Sequence, residues 1–370
     1  MCPVANQYNF TFATQAAATL DYASSYTYAG TSTTLGNQNF TVDWITNGLS
    51  SSIVAGAQMP AISGLITDGV AAQNLVIGAI FSGRTADVAV NNRVVVTRLT
   101  FAIPVRDLTM QINDVDFNTN QFRDWMHVNG INGASNYNPA LVTPHGNNNT
   151  GGPLTNAASS MTLGPTTTPG TITVRQGLGV GASGNNANTG TVTASFAQPV
   201  TQVEIRYGNF PDGGATGQQA IGIQAISWCP LPGISMAKTQ APFTSIITDP
   251  NRFNIPGSDS VYSLTVTNTD SSPVDAASLV LTDILPTAMN FFNGDFDGSG
   301  PITTNFEFVP GTSGLTLGAG NIAYSNNNGA TYAYTPLAGY DPAMQAIRIN
   351  PQGTMAANSS FTVRFRTQIK

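Results

Sequence analysis

Charge is what this chain has least of. Only 9% of its 370 residues are Asp, Glu, Lys or Arg, against about 25% in ordinary soluble domains. There are two lysines, Lys238 and Lys370, and two glutamates, Glu204 and Glu307. Their scarcity removes the usual surface helix formers and argues against a helical fold. The net charge is −6, and the few arginines are scattered. No basic face is available to neutralise phosphates, which excludes nucleic acid as a partner. No apolar run approaches the roughly 18 residues of a membrane-spanning helix. The longest, Leu75 to Phe81, predicts a buried strand. Two cysteines, Cys2 and Cys229, and two distant histidines, His127 and His145, do not make a zinc spacing. No G-x-S-x-G, H-E-x-x-H or P-loop sequence occurs, so no catalytic residues are expected. Low charge is not disorder here, because 41% of the residues are hydrophobic.

What is abundant is Thr, Asn, Gly, Ser and Val, a balance that predicts β structure with long polar loops. Strands are expected at Gln7–Thr14, Asn39–Trp44, Asn74–Phe81, Val88–Thr100, Gly170–Arg175, Gly190–Phe196 and Ile221–Trp228. Between them stand turn signals such as Asn47-Gly48, Asn129-Gly130 and Asn132-Gly133. Helix is limited to a turn or two near Ser63 to Gln73. An internal echo, Phe101-Ala-Ile-Pro104-Val105 and Phe196-Ala-Gln-Pro199-Val200, is followed each time by three apolar residues at alternate positions. It predicts two equivalent strands in the facing sheets of a sandwich. Pro230, Pro232 and Gly233 mark a boundary, giving domains of residues 1–232 and 233–370. Met1 to Phe10 has neither the basic start nor the apolar core of a signal peptide. An exported chain is therefore expected to have lost its leader.

In the second domain, Tyr262, Leu264 and Val266 alternate with Ser263, Thr265 and Thr267, the period of a half-buried strand. Ser278 to Ile284 predicts a second strand, ended by Pro286. The pair YSLTVTNT and LTDILP, with Ser313-Gly314-Leu315, Tyr324-Ser325-Asn326-Asn327, Ile347 to Pro351 and Phe361 to Phe365 downstream, resembles an immunoglobulin-like surface repeat. That family, known as domain of unknown function eleven, is found in bacterial and archaeal surface proteins. The resemblance covers roughly the last third of the chain. It implies an Ig-like sandwich with a structural role and no catalytic residues. More weakly, the F-A-x-P-V strand, the D-V-D loop and the ending Gln219 to Trp228 resemble jelly-roll lectin or carbohydrate-binding sandwiches of bacterial exoproteins. The expected fold is thus all-β, with a jelly-roll-like sandwich ahead of an Ig-like one.

Candidate sites are few. Asn113 to Asn120, with Asp124 beyond, concentrates oxygen ligands. Asp114 and Asp116 at the end of a strand, with Asp124 returning from the next, suit calcium. The alternative is a polar connection whose Asp and Asn bond their own backbone. Asn293-Gly-Asp295-Phe-Asp297-Gly298 has the start of a calcium loop, but Thr304 stands where the closing acid belongs, so it is a weaker candidate. Cys2 and Cys229 bracket the first domain, and in an oxidising compartment they are expected to bridge. Lys238, with Asp283 as a conceivable acid, raises an isopeptide bond, against a lysine simply packed along its stem. Glu204 is expected to face solvent and His127 to be a satisfied strand histidine. Tyr26 and Tyr28 are the candidates for an exposed sugar platform, while the three tryptophans suit the core.

These readings favour an extracellular or cell-surface bacterial protein that is not an enzyme. It would be a structural subunit assembling with copies of itself into a filament, appendage or surface layer. The alternative is a glycan-binding adhesin module, calcium-dependent or not.

Overall fold

The computed structural model describes residues 4–70, 73–86, 88, 90–145, 175–179, 181–211, 214, 217–243, 255–270, 272–296 and 304–370. The described residues are all-β. Their helix is confined to three short 3-10 turns, and none is long and apolar enough to cross a membrane. The expected turn of helix near Ser63 to Gln73 is absent among the described residues there. The chain divides into two compact units, Met1–Leu231 and Pro232–Lys370.

In the first unit the longer strands are β1 (Tyr8–Thr11), β2 (Tyr26–Ser32), β3 (Gly36–Asn47), β4 (Asn74–Phe81), β5 (Val94–Asn113), β6 (Phe122–Asn132), β7 (Val192–Ser195), β8 (Val200–Asn209) and β9 (Gln218–Pro230). Strand β4 coincides with the predicted span, because a continuous apolar run buried on both faces leaves no ambiguity about its ends. The predicted Val88–Thr100 strand instead begins at Val94 and runs on to Asn113. Pro104 does not end it. The register shifts between Thr100 and Val105, so the residue without an N–H falls at an interruption of the ladder.

That shift lets one strand serve two neighbourhoods. Val94 to Phe101 pair with β3, and Val94 to Thr100 pair on their other side with β8. Beyond Val105 the strand pairs with β9 and β7. Since β3 pairs with β2, β2 with β1 and β1 with β9, the pairings β5–β3–β2–β1–β9–β5 close a ring. The expectation of two separate facing sheets is therefore corrected. Sixteen strands of this unit form one connected, barrel-like system, because β5 belongs to both sides.

Trp228 of β9 is fully buried, with ring contacts to Tyr8, Phe40 and Phe101 at 5.7, 5.5 and 5.1 Å. Its Nε1 donates to Gln38 Oε1 at 2.6 Å, giving the indole its one required partner. A Cβ on Gly30 would lie 2.2 Å from the Trp228 ring, so only glycine fits at that point of β2. Cys229, next along, is fully buried, and its expected partner Cys2 lies outside the described residues. The predicted strand Gly170–Arg175 lies outside them too, except for Arg175, which opens a short strand ending at Leu178.

The second unit contains β10 (Ile234–Pro242), β11 (Asp259–Asn268), β12 (Leu281–Ile284), β13 (Met289–Asn293), β14 (Phe306–Val309), β15 (Ile322–Ser325), β16 (Gly339–Asp341), β17 (Ala346–Ile349) and β18 (Ser359–Ile369). One sheet runs β10–β11–β18–β13–β16, with β14 also on β18; a smaller one runs β12–β17–β15. Every second residue of β11 is buried, with Tyr262, Leu264 and Val266 inward. They share a core with Phe291, Ile347, Ile349, Phe361 and Phe365. The second predicted strand is shorter than expected, starting at Leu281.

Candidate functional site

Asp114, Asp116 and Asp124 come together in the first unit. Strand β5 ends at Asn113, and Asp114 adopts φ +64°, a left-handed conformation that Asp tolerates better than most residues. The turn sends the chain across the start of β6, where the Asp124 amide donates to the Asp116 carbonyl at 2.9 Å. In return the Asp116 amide donates to Asp124 Oδ2 at 3.0 Å. The other oxygen of Asp124 accepts the Tyr207 hydroxyl from β8.

A glycine-rich segment covers this turn. The Gly179 amide donates to the Asp124 carbonyl at 3.0 Å, Phe117 N to Gly181 O at 3.0 Å and Val115 N to Gly190 O at 2.9 Å. The Ser183 amide donates to Asp116 Oδ2 at 2.8 Å. A Cβ on Gly179 would sit 1.8 Å from the Asp116 carbonyl oxygen, so the cover requires glycine there. Behind it Thr191 donates to Asn113 Oδ1 at 3.0 Å, and Asn113 Nδ2 donates to Asn74 Oδ1 at 3.1 Å.

The result is an acidic cluster shut away from water. Asp124 is fully buried and Asp114 is 6% exposed. Oδ1 of Asp114 is buried without a hydrogen-bond partner. Burial, then the Asp116 charge, pushes Asp114 up to about 8. Burial pushes Asp116 up to about 6, although the Ser183 amide and the Asp124 side chain pull the other way. Asp124 is held well above the carboxylate range, first by burial and then by the Asp116 charge. Tyr207 is raised well above its ordinary value by burial and by the Asp124 charge. Three carboxylates in so little water cannot all ionise unless a cation joins them. No group of three or more His, Cys, Asp or Glu side chains among the described residues is arranged to hold a metal ion. The reason is visible in Asp124, both of whose oxygens already accept hydrogen bonds.

The sequence alone did not reveal Tyr207 or Ser183. A tyrosine in the buried register of an alternating strand was the available signal, since a buried phenol needs an acceptor. The Ser183 amide contact bridges 67 positions and has no local signature.

The other candidates fall elsewhere. Asp295 is half-buried in the second unit, and Asp297 lies outside the described residues. Tyr26 and Tyr28 are half-buried. Tyr26 meets the Trp44 ring at 5.8 Å, and Tyr28 packs on Phe10, Phe12 and Phe40 at 5.4, 5.1 and 5.8 Å. All three tryptophans are buried. Glu204, expected in solvent, is largely covered and pairs with Arg206 at 3.0 Å. His127 is fully buried. Lys238 donates to both oxygens of Asp283 at 2.8 Å and lies 4.5 Å from the centre of the Tyr262 ring. No protein-family model matches the chain, and no curated protein matches it.

Proposed function

We propose that the chain is an extracellular structural subunit of a bacterial surface, assembling with copies of itself into a filament, appendage or layer. The observation that carries this reading is strand β10. It is nine residues long and pairs only with β11 among the described residues. Met236, Lys238 and Gln240 stand opposite Val266, Leu264 and Tyr262, so they project from the same face as those buried residues. Yet Ile234 is 40% and Met236 50% exposed. Natural sheets usually blunt such an edge with charges or bulges. Here the single charge, Lys238, is turned onto Asp283. On the neighbouring edge strand β12, Ile284 is 58% exposed. An added strand would take up the free backbone groups of β10 and cover this apolar strip.

Three further points support the same reading. The last third of the chain resembles an Ig-like surface repeat. Surfaces poor in Lys and Glu pack against one another with little desolvation of charge. The bracket of Cys2 and Cys229 suits a bridged, exported first domain. Electron microscopy of concentrated protein, with and without calcium, tests the proposal. Ordered assemblies are expected, and dispersed particles under every ionic condition would reject it.

A second reading, a glycan-binding module, draws on a polar surface cleft in the first unit lined by Asp21, Tyr22, Ser50, Ser51, Ser52 and Gln58. Tyr26 adjoins it, its hydroxyl accepting from the Asp21 amide at 3.0 Å. Carboxylate, hydroxyl and amide groups beside an aromatic ring suit a sugar. A glycan array blank with calcium present removes this reading.

A further inference from the structure

The buried acids of the first unit have no role in an edge strand of the second. We infer that Asp114 and Asp116 are the two anionic ligands of a calcium ion, with Asp124 and Tyr207 acting behind them as positioning residues. The division of labour follows from the hydrogen bonds. Asp124 accepts one hydrogen bond on each oxygen, from Tyr207 and from the Asp116 amide, and so fixes the Asp116 backbone. Asp114 has the opposite character. Its Oδ1 is buried and unpartnered, and a buried polar oxygen that nothing meets is costly.

The surroundings choose the kind of ion. Both proposed ligands are carboxylates, so the side-chain donors are oxygen. Oxygen donors select hard cations over zinc or copper. The two carboxylates stand on a turn that passes through left-handed backbone at Asp114, not on a rigid element. Calcium accepts such irregular sets of six to eight oxygens, whereas magnesium demands near-ideal geometry and keeps its water. The covering segment rests directly on the acids through the Ser183 amide and through Gly179 and Gly190. Cation binding would therefore fasten Gly179, Ser183 and Gly190 onto the end of β5.

Calorimetric titration of chelator-treated full-length protein with calcium chloride tests this directly. At pH 8 we expect saturable heat with a stoichiometry of one ion per chain. Magnesium chloride should give at least tenfold weaker binding. Asp114→Asn should abolish the calcium heat while raising the melting temperature in chelator, since the amide removes the repulsion and keeps the shape. No calcium heat at pH 8 overturns the inference. So does calcium binding that is unchanged in Asp114→Asn. If that variant does not fold, Asp116→Asn is the second test: loss of the calcium heat is expected, and heat equal to wild type overturns the inference.

Discussion

Raising the pH should loosen the cation-free first unit, and the acidic cluster sets the size of the effect. The carboxyl of Asp114 ionises near 3.8 when the chain is unfolded and at about 8 when folded. Its folded value is raised, so the folded state holds a proton that the unfolded state has lost between these limits. Stability is therefore full below about pH 4 and declines as pH rises, levelling off above about 8. At 1.36 kcal/mol per pH unit, the whole rise is on the order of 6 kcal/mol. Asp116, raised from 3.8 to about 6, adds on the order of 3 kcal/mol over its narrower range. Asp124 and Tyr207 are the other titratable groups in the cluster, and Asp124 adds in the same direction. Denaturant unfolding of the Met1–Leu231 transition in chelator at pH 5, 6, 7 and 8 reads this out. The slope should be at least one proton per molecule between pH 5 and 7, and Asp114→Asn should lower it by about one. A stability that is flat or rising over this interval, with chelator present, would refute the reasoning.

Four other outcomes follow from the same contacts. Trp228→Ala should cost about 3–5 kcal/mol, because it empties the centre of the closed ring; Gly30→Ala should also destabilise, since its Cβ would meet the indole at 2.2 Å. Both are read as lowered unfolding midpoints. Lys238→Met should be tolerated less well than its exposure suggests, because Asp283 is buried and loses its cation; the expected loss is about 1–3 kcal/mol by denaturant melt. Alkylation of unfolded protein before and after reduction should reveal Cys2 and Cys229 only after reduction. Loss of such a bridge should cost about 5.4 kcal/mol in the chain-entropy account, since it would close a loop of more than 200 residues.

The parts of this molecule that were legible in its sequence were those fixed by local periodicity. Strand β11 announced itself because one face is buried and the other is not, so Tyr262, Leu264 and Val266 had to alternate with hydroxyl residues. Asn74 to Phe81 was equally clear as an unbroken apolar run. The acidic turn was legible because Asp114, Asp116 and Asp124 crowd oxygen into eleven positions. What the sequence concealed depends on distant pairing. Pro104 reads locally as a break, yet β9 and β7 take over where β3 and β8 leave off, and the strand continues. That continuity turns an expected pair of sheets into a closed ring. Val88 looked like the start of β5 because it is apolar and fully buried, but it packs beside Trp125 outside any strand. The exposure of β10 was also hidden. Met236 and Ile234 alternate like core residues, and only the narrower second sheet leaves them uncovered.

Sedimentation velocity over a wide concentration range, comparing wild type with Ile234→Lys/Met236→Lys, tests the assembly claim most directly. Wild-type protein should shift to faster species as concentration rises. The double variant, which puts two further positive charges on the β10 edge beside Lys238, should stay monomeric with an unchanged melting temperature. Wild type sedimenting as a monomer throughout, or the variant assembling as well as wild type, would contradict the account.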